Sequence, residues 1–245
     1  MSLPAPAADR TAIVTGASSG IGAELARELA GRGHGVTLVA RRADKLTALA
    51  EELASRGVRA EVLPADLSDP DQRASLPDRV ADLGLSADIL VNNAGLSTLG
   101  RVSAADPAAE LNMVQVDVAA VVDLTTRFLP GMVERGTGGV LNVASTAAFQ
   151  PLPGQAGYAA SKAFVLSYTR SLHGELAGSG VSVTALCPGP VSTGFGEAAG
   201  FAKEDAEAAL PSFMWEQADA VAGCGIDGLA KGHPVAIPGL ANRAG

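Results

Sequence analysis

The sequence predicts one α/β domain built on a doubly wound parallel sheet with helices on both faces. Short apolar or β-branched runs alternate with longer segments whose apolar residues recur at spacings of three and four. This alternation is typical of parallel strands joined by crossover helices. A glycine-rich turn lies between the first run and the first helical segment. A chain of 245 residues suits a single domain, so residues 1–245 are treated as one unit.

The elements follow in a regular order. Six runs are predicted as parallel strands, namely 11–16, 35–40, 60–65, 87–93, 138–145 and 180–189. The crossover helices are predicted at 21–32, 43–56, 107–135 and 157–178. A last run at 233–239 contains prolines. Because proline cannot donate the hydrogen bond that a central strand needs, this run is predicted as an edge strand.

Composition narrows the classes of partner. The net charge is −8, only 18% of the residues are charged, and no basic run occurs, so neither nucleic acid nor an anionic membrane is expected. Cys187 and Cys224 are too few for a disulfide framework and fit a reducing compartment. No signal-peptide pattern and no apolar stretch of about 18 residues is found. We expect a cytoplasmic protein that acts on small molecules.

The turn at 15–22 reads TGASSGIG and opens the first helix. Glycines there allow close approach of a phosphate, and the N–H groups of the helix N-terminus would face it. The spacing differs from the usual G-x-G-x-x-G, and a tight turn without a ligand is the alternative interpretation. The residues predicted to bind a dinucleotide pyrophosphate are Gly16, Ser18, Ser19, Gly20, Ile21 and Gly22.

The end of the second strand bears on the choice of dinucleotide. An acid usually stands there to bind the ribose 2′-hydroxyl of NAD, but this chain has Arg41 and Arg42. A guanidinium binds a 2′-phosphate with two parallel hydrogen bonds, so NADP(H) is predicted, with NAD(H) as the alternative. Arg41 is the first candidate and Arg42 the second. Both could instead be solvated surface residues.

Tyr158 and Lys162 are four residues apart, so on a helix their side chains project from one face. A phenol is a poor proton acceptor at neutral pH, but a nearby ammonium stabilises the phenolate. The pair therefore predicts a proton-transferring tyrosine. By itself, such a spacing is more often an ordinary helical surface pair.

Several motifs occur in a fixed order along the chain. They are ADL with Asp66, NNAG at 92–95, Ser145 at a strand end and YAASK at 158–162. Together they resemble the short-chain dehydrogenase/reductase family, from Thr11 to about Gly239. The resemblance implies a Rossmann-like single-domain oxidoreductase that uses NAD(H) or NADP(H), assembled as a homodimer or homotetramer.

The resemblance also implies roles for individual residues. Tyr158 would transfer the proton while the cofactor transfers hydride to or from a carbonyl or alcohol substrate. Lys162 would also bind the nicotinamide ribose. Ser145 would hydrogen-bond the substrate oxygen, and Thr146 is a less favoured substitute.

Further cofactor contacts follow from the same resemblance. They are Asp66 and Leu67 at the adenine, Asn92, Ala94 and Gly95 near the adenosine ribose and central strand, and Pro188, Gly189, Val191 and Thr193 over the nicotinamide. Each has a structural alternative. Asp66 could cap a turn, the two asparagines could satisfy loop backbone, and 188–193 could be a proline-rich turn.

One position departs from the family pattern. The family has an asparagine in the long fourth helix, where its backbone carbonyl helps to hold a relay water behind the lysine, and this chain has Asp117. Because the family contact is made by backbone, the helix distortion should survive. A second charge near Lys162 should alter the titration of the site. Asp117 is therefore predicted as a site residue.

Residues 194–218 have the glycines and helical apolar spacing of a substrate lid. Its apolar members are Phe195, Phe201, Phe213, Met214 and Trp215, and further pocket candidates are Leu96, Phe149 and Leu152. Lid packing on its own domain is the alternative. The three histidines form no recognisable ligand cluster, so no metal is predicted. Rival functions are a dinucleotide-binding sensor or scaffold, disfavoured by Ser145, Tyr158 and Lys162, and a sugar-nucleotide epimerase, disfavoured by the short C-terminal region.

Overall fold

The computed structural model describes residues 3–198, 215–239 and 242. Seven parallel strands form one sheet in the order β3-β2-β1-β4-β5-β6-β7. The strands are β1 (Arg10–Thr15), β2 (Val36–Ala40), β3 (Ala60–Pro64), β4 (Ser86–Asn92), β5 (Gly138–Val143), β6 (Val181–Leu186) and β7 (Val235–Ala236). All predicted strands are present, and the proline-containing run forms an edge strand as predicted. The fold class is therefore confirmed.

The helices are α1 (Gly20–Gly31), α2 (Ala43–Ala54), α3 (Pro70–Asp82), α4 (Pro107–Val114), α5 (Ala120–Arg135), α6 (Ala156–Glu175), α7 (Phe195–Ala198) and α8 (Ala218–Lys231). Helices α3 and α8 were not among the predicted helices. In the described ranges, no helix has the length and apolar character needed to cross a bilayer.

Helix α3 begins at a capping residue that can be recognised in the sequence. The Asp69 side chain accepts hydrogen bonds from the N–H groups of Asp71 and Gln72, and Pro70 occupies the first turn. Proline suits that place because its missing N–H would have no partner within the helix. The apolar periodicity of α3 is weak, with Leu76 and Val80 as its buried apolar residues. Capping, and not periodicity, was the usable signal here.

The sheet buries both of its faces. Alternate residues of one strand point to opposite faces, so Val14 packs in the layer of α1, α2 and α8, and Ile13 packs in the layer of α3, α5 and α6. This explains why most strand residues on both faces of the sheet are apolar and neither face is reserved for polar residues.

The strand order reverses between β1 and β4, which lie side by side at the middle of the sheet. In open parallel sheets, ligands bind in the crevice at the carboxyl ends of the strands at such a reversal. The glycine-rich turn follows β1, and the NNAG segment follows β4. The topology thus brings the two motifs to one crevice.

Gly22 lies where the first turn of α1 meets the loop after β4. A Cβ atom there would collide with the Gly16 carbonyl oxygen and the Asn93 side-chain amide. We therefore expect Gly22→Ala to lower the free energy of unfolding by about 2 kcal/mol, because overpacking forces backbone apart. Denaturant unfolding measures this change.

The matched control is Gly31→Ala at the other end of the same helix. A Cβ atom at Gly31 meets no described atom within 4 Å. Alanine should raise stability there by up to about 1 kcal/mol, since it loses less backbone entropy than glycine. Equal effects of the two substitutions would contradict the packing argument.

Candidate active site

The glycine-rich turn leaves β1 at Thr15 and enters α1 at Gly20. Gly16 and Gly20 have φ values of +67° and +57°, which side-chain-bearing residues rarely adopt. Ser19 precedes the helix in extended conformation, and its side chain does not cap the first N–H groups. The N–H groups in the first turn of α1 are thus available to an anion. Side chains in place of the glycines would fill the space above these donors. The residues fit a dinucleotide pyrophosphate.

Arg42 extends from the end of β2 to this turn. Its Nη2 donates hydrogen bonds to Ser18 Oγ and Ser19 Oγ, each at 2.8 Å. Arg41, the first candidate from the sequence, is exposed beside it. The structure therefore brings Arg42, the second candidate, into contact with the glycine-rich turn, and two adjacent arginines at a strand end give no sequence signal for which side chain reaches it.

The loop after β4 is fastened to β1 by Thr15, which sequence reasoning missed. Thr15 Oγ1 accepts the N–H groups of Asn93 at 2.9 Å and Ala94 at 3.1 Å, and it donates to the Val91 carbonyl. Asn93 Nδ2 donates in return to the Thr15 carbonyl at 2.9 Å. Asn93 thus has the loop-satisfying role that was the alternative interpretation, and it places Ala94 beside the glycine-rich turn.

Asn92 turns its side chain the other way, into the core. Its Nδ2 donates to Asn142 Oδ1 at 2.8 Å and to Thr125 Oγ1 at 3.1 Å. Asn142 donates onward to Thr169 Oγ1 on α6 at 3.0 Å. The Asn92 Nδ2 therefore joins β4 to β5 and α5, and through Asn142 to α6, while its buried Oδ1 has no hydrogen-bond partner among the described residues.

Asp66 and Leu67 follow β3. Asp66 Oδ1 accepts the N–H and hydroxyl of Ser68, so the side chain does stabilise a turn. The Leu67 side chain is buried, and its carbonyl accepts a 2.7 Å hydrogen bond from Arg73 Nη1. This turn is placed at the same edge of the sheet as the glycine-rich turn.

Arg73, which sequence reasoning also missed, anchors that turn to α5. Its buried guanidinium donates through Nε to Asp123 Oδ2 at 2.9 Å. Burial by itself would raise the pKa of Asp123, but the hydrogen bonds from Arg73 and Arg127 outweigh it and lower the pKa. The carboxylate therefore stays ionised at neutral pH. A lone arginine in a helix gives no sequence signal for this role.

Ser145 follows the carboxyl end of β5, and Tyr158 and Lys162 lie on α6. Lys162 and Tyr158 share one face of α6, with Nζ at 5.5 Å from the centroid of the phenol ring. Lys162 Nζ also donates to the Val143 carbonyl at 3.3 Å. Ser145 follows β5, and its Oγ accepts the Ala147 N–H at 3.1 Å. The backbone N–H of Thr146 donates a hydrogen bond to the Pro188 carbonyl at 2.9 Å.

Asp117 lies in a π-helical turn, Gln115–Ala119, that interrupts the predicted helix 107–135 between α4 and α5. Its side chain is fully buried, with Oδ2 at 3.1 Å from Lys162 Nζ and Oδ1 accepting the Leu96 N–H at 2.7 Å. A single π turn widens the helix locally. The helix distortion and the nearby lysine that the sequence predicted are both present.

Burial and charge act on both members of this pair. Burial raises the pKa of Asp117, opposed by Lys162 and the Leu96 N–H. Burial alone would lower the pKa of Lys162, but Asp117 and Tyr158 outweigh it and raise that pKa, so the ammonium stays charged at neutral pH. Gly95 leaves room for the pair, because a Cβ atom there would lie 3.2 Å from Nζ and 3.4 Å from Oδ2.

The segment predicted to cover the nicotinamide is tied down at its base. Val191 forms a parallel bridge with Glu216, whose N–H donates to the Pro190 carbonyl at 2.9 Å. Thr193 reaches back to the glycine-rich turn, since a Cβ atom on Gly20 would lie 3.3 Å from the Thr193 Cβ. Gly189 lies against Asn242, where an added Cβ would meet the amide. The segment thus closes one side of the crevice.

The described ends of the predicted lid are residues 194–198 and 215–218, and the second end contains Glu216 of this bridge. Phe195 in α7 places its ring 5.9 Å from the ring of Tyr158, at an interplanar angle of 48°. Trp215 buries its Nε1, which has no hydrogen-bond partner in the described part. Phe201, Phe213 and Met214 lie outside the described residues.

The other pocket candidates follow the carboxyl ends of β4 and β5. Leu96 and Leu152 are partly exposed, and Phe149 is more than half exposed. Within the described ranges, no group of three or more His, Cys, Asp or Glu side chains could hold a metal ion.

Comparison with known proteins agrees with this geometry. A sequence profile described as short chain dehydrogenase matches residues 10–203. A short chain dehydrogenase of Pseudocercospora fijiensis is 40% identical over 192 residues, which are 76% of this chain and 61% of that protein. The chain thus spans about three fifths of that relative's length.

Two solved structures are similar over nearly the whole chain. A short-chain dehydrogenase from Sphingobium yanoikuyae in complex with NADPH has a TM-score of 0.85 and 34% identity, covering 96% of this chain and 91% of that one. A bulky-bulky ketone specific alcohol dehydrogenase from Comamonas testosteroni has a TM-score of 0.81 and 29% identity, covering 94% and 86%. The chain belongs to the short-chain dehydrogenase/reductase family.

Proposed function

We propose that this protein is an NADPH-dependent carbonyl reductase that can also run in reverse as an alcohol dehydrogenase, with Tyr158 as the proton-transferring residue. The observation that carries the proposal is that Lys162 Nζ lies 5.5 Å from the centroid of the Tyr158 ring and donates to the Val143 carbonyl, at the end of the strand that Ser145 follows. When bound, the cofactor would supply or accept the hydride. NADH is the alternative cofactor.

The chain's own residues account for the remaining steps. In reduction, Tyr158 gives its hydroxyl proton to the substrate oxygen, and Ser145 hydrogen-bonds that oxygen while negative charge develops on it. Lys162, fixed by the Val143 carbonyl and Asp117, stabilises the phenolate that remains. In oxidation, the phenolate takes the proton of the substrate hydroxyl.

The cofactor choice is argued from charge. Arg42 lies on the glycine-rich turn and Arg41 is next to it, so a 2′-phosphate would find a cation there and no acid that repels it. The similar structure with NADPH supports this proposal. The exposed ring of Phe195 beside Tyr158 and the apolar residues Leu96, Phe149 and Leu152 support a substrate with an apolar part.

Tyr158→Phe should lower turnover of NADPH with a panel of ketones and aldehydes by about a thousandfold, because the proton donor is lost. NADPH binding, followed by cofactor fluorescence, should stay within a few-fold. Tyr168→Phe is the control, since that ring stacks on Phe164, away from the crevice. Turnover by Tyr158→Phe comparable to the control would refute the role of Tyr158.

The cofactor proposal is tested by Arg42→Ala, Arg41→Ala and the double variant. Loss of a charge-assisted contact costs about 1.5–3 kcal/mol, so the double variant should bind NADPH at least about tenfold more weakly. NADH affinity should hardly change. The single variants divide the effect between the two arginines. If the unaltered protein clearly prefers NADH, the cofactor proposal fails.

We also propose a homodimer or homotetramer assembled through the helices of 107–135 and 157–178. Leu111 on α4 and Phe164 on α6 are exposed apolar residues, 65% and 41% accessible. A second copy covering them would remove apolar surface from water. Leu111→Glu should therefore lower the sedimenting mass, whereas Val102→Glu, at 64% exposure outside both helices, should not. Unchanged association in Leu111→Glu excludes this surface.

A further inference from the structure

Lys162 does not face Tyr158 as an isolated cation. Its ammonium lies 3.1 Å from Asp117 Oδ2 and 5.5 Å from the centroid of the Tyr158 ring. Both Lys162 and Asp117 are almost completely buried, so water does not screen the pair. Tyr158 therefore lies beside a charge pair, and its neighbour on α6, Lys162, is the positive member of that pair.

The other polar groups around Lys162 are uncharged or more distant. The Cys187 thiol faces Lys162 from the end of β6, and burial raises its pKa to about 12, so it stays neutral in the working range. The Val143 carbonyl and the Ser145 hydroxyl carry no net charge. Glu110 on α4 faces Gly157, next to Tyr158, but is partly exposed and more easily screened. Among the described residues, Asp117 is thus the buried carboxyl group that pairs with Lys162.

A lone ammonium favours the phenolate because opposite charges attract. A carboxylate bound to the same ammonium offsets that attraction, and the remaining field of a pair falls off faster with distance than that of a single charge. We propose that Asp117 is a positioning residue that weakens the electrostatic effect of Lys162 on Tyr158. The consequence for catalysis rests on the proposed function.

That consequence concerns direction. Reduction needs the phenol, which donates its proton to the carbonyl oxygen as hydride reaches the carbon. Oxidation needs the phenolate, which accepts the hydroxyl proton as hydride leaves. The Asp117–Lys162 pair would therefore favour reduction at neutral pH and delay oxidation to more alkaline pH.

The chain offers a direct measurement, because it has only two tyrosines, Tyr158 and Tyr168. In a Tyr168→Phe background, the near-ultraviolet absorbance of tyrosinate reports the ionisation of Tyr158 alone, in cofactor-free protein. Asp117→Asn should lower the pH midpoint of this titration by about one unit or more, which is about tenfold more tyrosinate at a given lower pH. The asparagine oxygen can still accept the Leu96 N–H, so the loop contact is kept.

The matched control is Asp123→Asn in the same background. Asp123 lies on α5 and also pairs with buried arginine, Arg73 at 2.9 Å, but it does not contact Lys162. Its removal should leave the midpoint unchanged. Asp117→Ser is a second uncharged variant, used if Asp117→Asn does not fold as judged by circular dichroism. It should shift the midpoint in the same direction.

A purely structural role for Asp117 would lower stability or turnover at every pH without moving the midpoint. An unchanged or raised midpoint in a folded Asp117 variant therefore overturns the inference. Where turnover is measured, the pH limb of kcat/KM for alcohol oxidation should shift to lower pH with the tyrosinate midpoint. Because the titration needs neither substrate nor cofactor, failure to find a reducible carbonyl would count against the proposed function and not against this inference.

Discussion

The buried ion pair between Lys162 and Asp117 requires the surrounding structure to supply further contacts to both charged groups. Removing two charges from water is costly, and the cost is offset only where both partners keep good contacts. Here the carboxylate also accepts the Leu96 N–H, and the ammonium also donates to the Val143 carbonyl. Removing one partner of such a pair typically costs about 3–5 kcal/mol, a large share of a net stability of about 5–15 kcal/mol. The contacts that fix the pair therefore also help to maintain the fold.

Those contacts reach outward through the middle of the sheet. The π turn places Asp117 at the pair, and Gly95 lets the loop after β4 pass within reach of it. That loop is held by Thr15 on one side, while Asn92 at the end of β4 is bound to Asn142 and, through it, to α6. The helix that carries Tyr158 and the loop that borders the glycine-rich turn are thus coupled by hydrogen bonds among buried groups, whose loss is costly.

The sequence predicted the sheet well because the central strands are buried on both faces and are rich in apolar residues, as in β5 and β6. Helix α3 was not predicted because its apolar spacing is weak. Its sequence signals are the capping Asp69 and Pro70 in the first turn. The choice between Arg41 and Arg42, and the anchoring roles of Thr15 and Arg73, depend on contacts across 24 to 78 positions of sequence. No local pattern encodes such contacts. The position of Asp117 near Lys162 was predicted from family resemblance, whereas its direct ion pair required the structure.

The two ends of the crevice differ in charge for reasons that the fold imposes. At the glycine-rich turn, the N-terminus of α1 and Arg42 both present positive charge, and the described side-chain partners of Arg42 are neutral serine hydroxyls. At the other end, the positive charge of Lys162 is offset by a carboxylate, and the neighbouring exposed side chain on the lid is the apolar Phe195. A nicotinamide dinucleotide carries its pyrophosphate between the two nucleosides, and its reacting ring lies at one end. The charge distribution therefore supports the proposed placement of such a ligand, with its pyrophosphate at the glycine-rich turn and its nicotinamide ring towards Tyr158 and Phe195.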